Sequence, residues 1–248
     1  MPYCFAADPL VLGKLGSVPV DPSILRSVRL FDGMSAEQFA VVADRARLRS
    51  YKPETVVINQ DDTGDTLFLI LKGIVKVSLN RPDGREVFLA VLAKGDHFGE
   101  LSLIDSKYRS ANVVTQEETI LLLIDRALFD ALTHFRQFNL NLLCSLAARS
   151  RRGNERVANL ATMSVQGLVA HHILEFAELY GQRGPNGEDV TIPIRLTQND
   201  LGDVVGASRE RVNQVMKHFK DSRCISVDTH YRITVHKMAD LRRCVDMQ

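Results

Sequence analysis

Hydrophobic positions recur along this chain with two different periods, and the changes between them divide it. Over 21–50, Ile24, Leu25 and Val28 are followed by Leu30-Phe31 and then by Phe39, Val42 and Ala43, which predicts helix. Ser35, with Glu37 and Gln38 just before the apolar stripe, is the expected N-cap. From Thr55 the apolar residues gather into short β-rich runs: 56–58, 67–71, 74–79, 87–92 and 120–124. Lys72-Gly73 and Pro82-Asp83-Gly84 supply turns between them. Many short strands separated by turn residues predict a sandwich or jelly roll. After Asp125 the helical period returns, over 126–134 and then over a long run at 136–161. Thr162-Met163-Ser164 reads as a hinge, and 165–248 as helices closed by a short β-hairpin whose clearest strand is Tyr231–Val235.

Composition narrows the class without choosing a function. The 248 residues suffice for two small domains. No apolar run approaches the ~20 residues that span a bilayer. Residues 1–22 carry four prolines and two glycines, and Leu10-Val11-Leu12 has no basic segment before it. That makes a poor signal peptide, so 1–21 is read as an extension and the protein as cytoplasmic, with no membrane partner. Cys4, Cys144, Cys224 and Cys244 are scattered, which suits free thiols and no metal site. The net charge of +1 neither suggests nor excludes nucleic acid, because a DNA-binding surface needs only a local basic face. No nucleophile–base pair, Walker loop or H-E-x-x-H pattern supports an enzyme.

Two segments carry chemistry. In 196–220, LTQNDLGDVVGASRERVNQVMKHFK, Thr197 with Asp200 three residues on is a capping pattern, and Leu201, Val204 and Val205 form one apolar face. Gly206 allows a tight turn, and Ser208 caps a second helix. There Val212, Val215, Met216 and Phe219 must face a core, leaving Arg209, Glu210, Asn213, Gln214 and Lys217 opposite. Arg suits guanine O6/N7, Glu suits cytosine N4, and Asn or Gln suits adenine N6/N7. On that rule Gln214 should favour adenine, while Lys217, later on the face, should meet a phosphate. The second segment is Phe98-Gly99-Glu100-Leu101-Ser102-Leu103, then five intervening residues, then Arg109-Ser110-Ala111. An Arg fork matches phosphate oxygens, a carboxylate accepts from a ribose hydroxyl, and a neighbouring Gly lets the backbone approach a ligand.

The helix-turn-helix segment resembles that of the cAMP receptor protein/FNR family from Leu196 through Met216. The FGELSL…RSA string is similar to the phosphate-binding cassette of cyclic-nucleotide-binding domains. The resemblance covers about 22–240. It implies an α+β fold: a cyclic-nucleotide-binding β-roll (jelly roll) at 22–135, a dimerisation helix at 136–161, and a winged helix-turn-helix at 162–248. It further implies cAMP as effector, held by Gly99, Glu100, Leu101, Arg109, Ser110 and Arg149. Double-stranded DNA is then contacted by Thr197, Ser208, Arg209, Glu210, Asn213, Gln214 and Lys217 of a homodimer, an activator working with RNA polymerase. Two departures stand out. Gly153 and Asn154 occupy the positions of the family's adenine-contacting Thr-Ser pair, and Gln214 stands where the cAMP receptor protein has a third base-reading Arg. Another effector, or constitutive DNA binding, is the alternative. An iron–sulfur sensor would need several N-terminal cysteines, and only Cys4 is there. His97 is expected as a solvated loop histidine, and His171-His172 as structural. On the long helix, Leu142, Leu143, Leu146, Ala147, Val157, Leu160 and Ala161 bracket a polar stretch, Arg149–Glu155, with the apolar ends as dimer seam.

Overall fold

The computed structural model describes residues 25–26, 28–84, 86–184 and 187–246, so the extension 1–21 lies outside the described residues. A short 3-10 turn, Arg29–Phe31, precedes α1, Ala36–Arg45. Ser35 is the N-cap as expected, and it closes a full capping box: the Ser35 hydroxyl accepts from the Gln38 amide, and the Gln38 side chain accepts from Ser35 N–H. Helix stops at Ala46, short of the 50 expected. Arg47–Tyr51 is instead a strand, β1, because it pairs in antiparallel register along its whole length with the strand Thr119–Asp125.

Eight strands follow the jelly-roll expectation: β1, β2 Val56–Ile58, β3 Thr66–Lys72, β4 Ile74–Asn80, β5 Glu86–Ala93, β6 His97–Phe98, β7 Asn112–Thr115 and β8 Thr119–Asp125. They form two antiparallel sheets, ordered β1-β8-β3-β6 and β2-β7-β4-β5. Strand β3 shows how the sequence builds the layers. Phe68 and Ile70 point between the sheets to meet Val75, Phe98, Val113 and Leu121. Leu67 and Leu69 point the other way, onto Phe39, Val42, Leu128 and Phe138 from the flanking helices. Both faces are therefore buried, which explains the unbroken run LFLIL.

Between β6 and β7 lies a one-turn helix, α2, Leu101–Asp105; after β8 come α3, Arg126–Leu132, and the long α4, Arg136–Thr162. α4 ends at Met163, and the Ser164 hydroxyl caps α5, Val165–Tyr180, so the chain breaks at the expected hinge. The C-terminal part holds β9 Gln182–Arg183, β10 Val190–Ile192, α6 Gln198–Val205, α7 Arg209–Asp221, β11 Ile225–Val227 and β12 Ile233–Val235. Its sheet runs β11-β12-β10-β9. The chain does not close on the hairpin: α8, Met238–Asp246, follows it and packs Leu241 into the core of this part.

That core reaches into the β-roll. Ile74, Phe88 and Val91 of β4 and β5 belong to the same apolar cluster as α5, α6 and α7. Strand β5 is a sheet edge, and side chains from outside its sheet satisfy several of its main-chain groups. Asp203 accepts from Phe88 N–H (3.0 Å), Arg156 donates to Leu89 C=O (2.7 Å), and the Tyr180 hydroxyl donates to Val91 C=O (2.8 Å). Lys76 of β4 pairs with Asp200 of α6 at 2.6 Å. The edge is covered by the C-terminal part of its own chain.

Candidate ligand cavity and nucleic-acid interface

A cavity of about 820 Å3 opens between β5, the β6–α2 turn, α4 and α5. Gly99, Glu100, Leu101, Arg109, Ser110, Arg149 and Gly153 all line it; Asn154 does not. Arg109 is nearly fully buried and anchors the floor. Its Nη1 donates to Gly99 C=O (2.7 Å) and Ser102 Oγ (2.9 Å), and its Nη2 to Thr66 C=O (2.9 Å). Gly99 has φ +84°, and a Cβ there would lie 2.7 Å from Arg109 Nη1 and 2.8 Å from Thr66 O. The glycine is thus required by the arginine as well as by the backbone. Burial lowers the Arg109 pKa, and Asp65, Glu100 and Asp62 oppose that shift, so the group remains a cation.

Glu100 is 1% exposed. Its Oε1 accepts from Arg149 Nη1 at 2.6 Å, whereas its Oε2 is buried with no hydrogen-bond partner. A buried carboxylate oxygen left without a donor is costly unless something else supplies one. Arg149 also donates to the His97 carbonyl. His97 departs from its expectation as a solvated loop histidine: it sits in β6, paired with Leu69, and is 4% exposed. Burial, with the nearby Arg149 cation, lowers its pKa to about 3, so it is neutral. His171 and His172, expected as structural, both border the cavity; His172 is buried and bonded to Glu175 at 3.0 Å. Sequence reading also missed Ser102, Arg152 and Arg156; Ser102 lies inside the quoted motif and was legible there.

Gly153 lacks more than a hydroxyl. A Cβ at that position would meet nothing within 4 Å, so the cavity wall is open there. Among the described residues no cluster of three or more His, Cys, Asp or Glu could hold a metal ion. No described helix is long and apolar enough to cross a membrane.

The second site is built by α6 and α7. Thr197 and Asp200 form a reciprocal capping box, Gly206 takes the left-handed conformation at φ +64°, and Ser208 Oγ accepts from Arg211 N–H. Gly202 also matters: a Cβ there would lie 2.9 Å from Ala207 O, so it permits the close approach of the turn. Val212, Val215, Met216 and Phe219 are buried, while Ser208, Arg209, Glu210, Asn213, Gln214 and Lys217 are exposed. Thr197, half-buried, serves as cap. The Glu210 carboxyl is held below its usual range by its own backbone N–H and then by the Ser208 hydroxyl, so the face keeps one ionised acceptor among donors. Arg211, not singled out by the sequence, is exposed on the same surface.

A β-roll with a cassette around Gly99–Arg109, joined by a long helix to a winged helix-turn-helix, defines a ligand-responsive DNA-binding regulator. Residues 48–134 match the cyclic nucleotide-binding domain family, and 169–244 match the Crp-like helix-turn-helix domain family. The chain is 32% identical over 197 residues to the CRP-like cAMP-activated global transcriptional regulator of Mycobacterium tuberculosis, covering 79% of this chain and 87% of that one. It is 32% identical over 185 residues to the cAMP-activated global transcriptional regulator Vfr of Pseudomonas aeruginosa, covering 72% and 85%. Its fold is similar to that of a CRP-family transcriptional regulator from Thermus thermophilus, with a TM-score of 0.67 at 20% identity over 80% of this chain and 96% of that one. The chain belongs to the CRP family of transcription regulators.

Proposed function

We propose that this regulator takes cAMP as its effector and, as a homodimer, binds a two-fold-symmetric DNA site. The observation that carries the effector reading is the buried, donorless Glu100 Oε2 in the cavity that Arg109 floors. A ribose 2′-hydroxyl would donate to that oxygen, while the cyclic phosphate would lie against the Arg109 cation and Ser110. The names of the relatives support the choice of cAMP. Arg149 already holds the other Glu100 oxygen, so the carboxylate is aimed before any ligand arrives.

The dimer rests on α4. Its positions 140, 143, 147, 150, 154, 157 and 161 follow a three–four spacing, and Leu140, Leu143 and Val157 are exposed at 37%, 61% and 68%. That is a coiled-coil seam with Ser150 and Asn154 in its polar middle. It places Asn154 toward the partner subunit, in keeping with its absence from this subunit's cavity wall. Leu142 and Leu146, expected in the seam, pack instead on their own subunit's core. The proposed division is a ligand domain at 22–135, a dimer helix at 136–161 and a DNA-binding domain at 162–248. Contact with RNA polymerase as an activator, in the cytoplasm, completes the reading.

A second reading, a different effector, is favoured by one feature: Gly153 leaves the wall open where a base would be recognised. Isothermal titration calorimetry with cAMP separates the two. Saturable heat near one site per chain supports cAMP; no heat at millimolar cAMP overturns it.

A further inference from the structure

We propose that Arg211 is a positioning residue for DNA recognition: it orients the Gln214 amide so that only its NH2 faces the base, which makes Gln214 a reader of guanine rather than adenine. The inference rests on the DNA-reading role assigned above to α7.

Arg211 Nη1 lies 3.3 Å from Gln214 Oε1, one turn along the exposed face of α7. A guanidinium has five donors and no acceptor, so the amide atom turned toward it must be the oxygen. Neighbouring Asn213 is held in a similar way, its Oδ1 accepting from Gln198 Nε2 at 3.0 Å.

The consequence follows from groove chemistry. A free glutamine reads adenine with both ends of its amide, accepting from N6 and donating to N7. With Oε1 turned toward Arg211, the amide presents its two N–H groups to the base. Guanine offers two adjacent acceptors, N7 and O6, to such a donor pair, whereas adenine sets its own N6 donor against it. The adenine preference expected from residue type is thus reversed by a side chain that need not touch the base.

The test is binding-site selection with the full-length dimer, in the presence of saturating cAMP, on wild type, Gln214→Ala, Arg211→Met and Arg211→Lys. Wild type should enrich guanine at the base pair whose preference Gln214→Ala erases. Arg211→Met should move that one pair toward adenine by at least about fivefold, the lower end for a bidentate amide–base contact. Arg211→Lys, which keeps a donor in reach, should retain guanine. All four proteins should melt alike, because both side chains are exposed. An unchanged preference in Arg211→Met, or a uniform loss of affinity for all sequences, overturns the positioning role. A Gln214→Ala consensus identical to wild type overturns it as well. If wild type enriches no sequence although calorimetry shows cAMP bound, the DNA-reading assignment itself fails.

Discussion

Replacing Arg109 by Leu should cost stability as well as ligand. On residue type alone this side chain is a phosphate receptor, and its removal would leave the fold untouched. The structure gives it a second duty: three hydrogen bonds, to Gly99 C=O, Ser102 Oγ and Thr66 C=O, tie the β6–α2 turn to β3. Each is charge-assisted, and the group is 7% exposed. Leu would leave those acceptors without their donor on the floor of the cavity. Three such bonds are not additive, because one guanidinium serves all of them. A net loss of about 2–4 kcal/mol is expected, a large share of the ~5–15 kcal/mol typical of a domain. The chain has no Trp, so urea unfolding is best followed by far-UV circular dichroism. Arg109→Lys should lose roughly half as much, since an ammonium keeps the charge but not the fork. Calorimetry below the transition should then show cAMP affinity reduced by a factor of about 30 or more in Arg109→Leu, the scale for truncating a buried charge pair. A variant that unfolds within ~0.5 kcal/mol of wild type would refute the structural duty.

Other consequences are as direct. Asp203→Ala leaves the Phe88 amide without its acceptor at the β5 edge, and its hydrogen exchange should accelerate about tenfold, for a bond worth ~1 kcal/mol or somewhat more. An unchanged rate would show that the edge is not held by α6. His97 is buried neutral with a pKa of about 3, below its unfolded value of 6.5, so its contribution is whole above pH 6.5 and shrinks as pH falls from 6.5 toward 3. Between those limits wild type should lose ~1.4 kcal/mol per pH unit relative to His97→Gln, measured by urea unfolding at pH 6 and pH 5. Parallel curves for the two proteins would contradict it. Leu143→Glu combined with Val157→Glu should give a monomer by light scattering, and a surviving dimer would move the seam elsewhere. Arg209→Ala and Glu210→Ala should each cost about 1–3 kcal/mol at one base pair, while Lys217→Ala should weaken all sequences alike and reduce the salt slope by about one. Identical salt slopes for Lys217→Ala and wild type would remove it from the phosphate contacts.

The two functional segments were legible because each is local. Thr197, Gly206 and Ser208 specify caps and a turn within a few residues, and the exposed face of α7 follows from Val212, Val215, Met216 and Phe219. Glu100 and Arg109 lie nine residues apart in a single string. What escaped was long-range. Arg47–Tyr51 is a strand only because β8 lies beside it, more than 60 residues away. His97 sits among loop-like residues and is buried because β3 pairs with it. The contacts of Asp203, Arg156 and Tyr180 with β5 join side chains to main-chain groups, which leave no mark in a hydrophobic pattern. The apolar pattern of α4 was half legible: Leu142 and Leu143 are adjacent in sequence, and only the core decides that Leu142 turns inward while Leu143 stays exposed.

Whether the Glu100–Arg109 cavity governs DNA binding by α7 is read by titrating the selected DNA site with wild-type protein, by fluorescence anisotropy, with and without saturating cAMP and beside Arg109→Lys. Specific binding should be at least about tenfold tighter with cAMP, the scale of ~1.4 kcal/mol of coupling, with no cAMP response in Arg109→Lys. Equal affinity for the site with and without cAMP would contradict it.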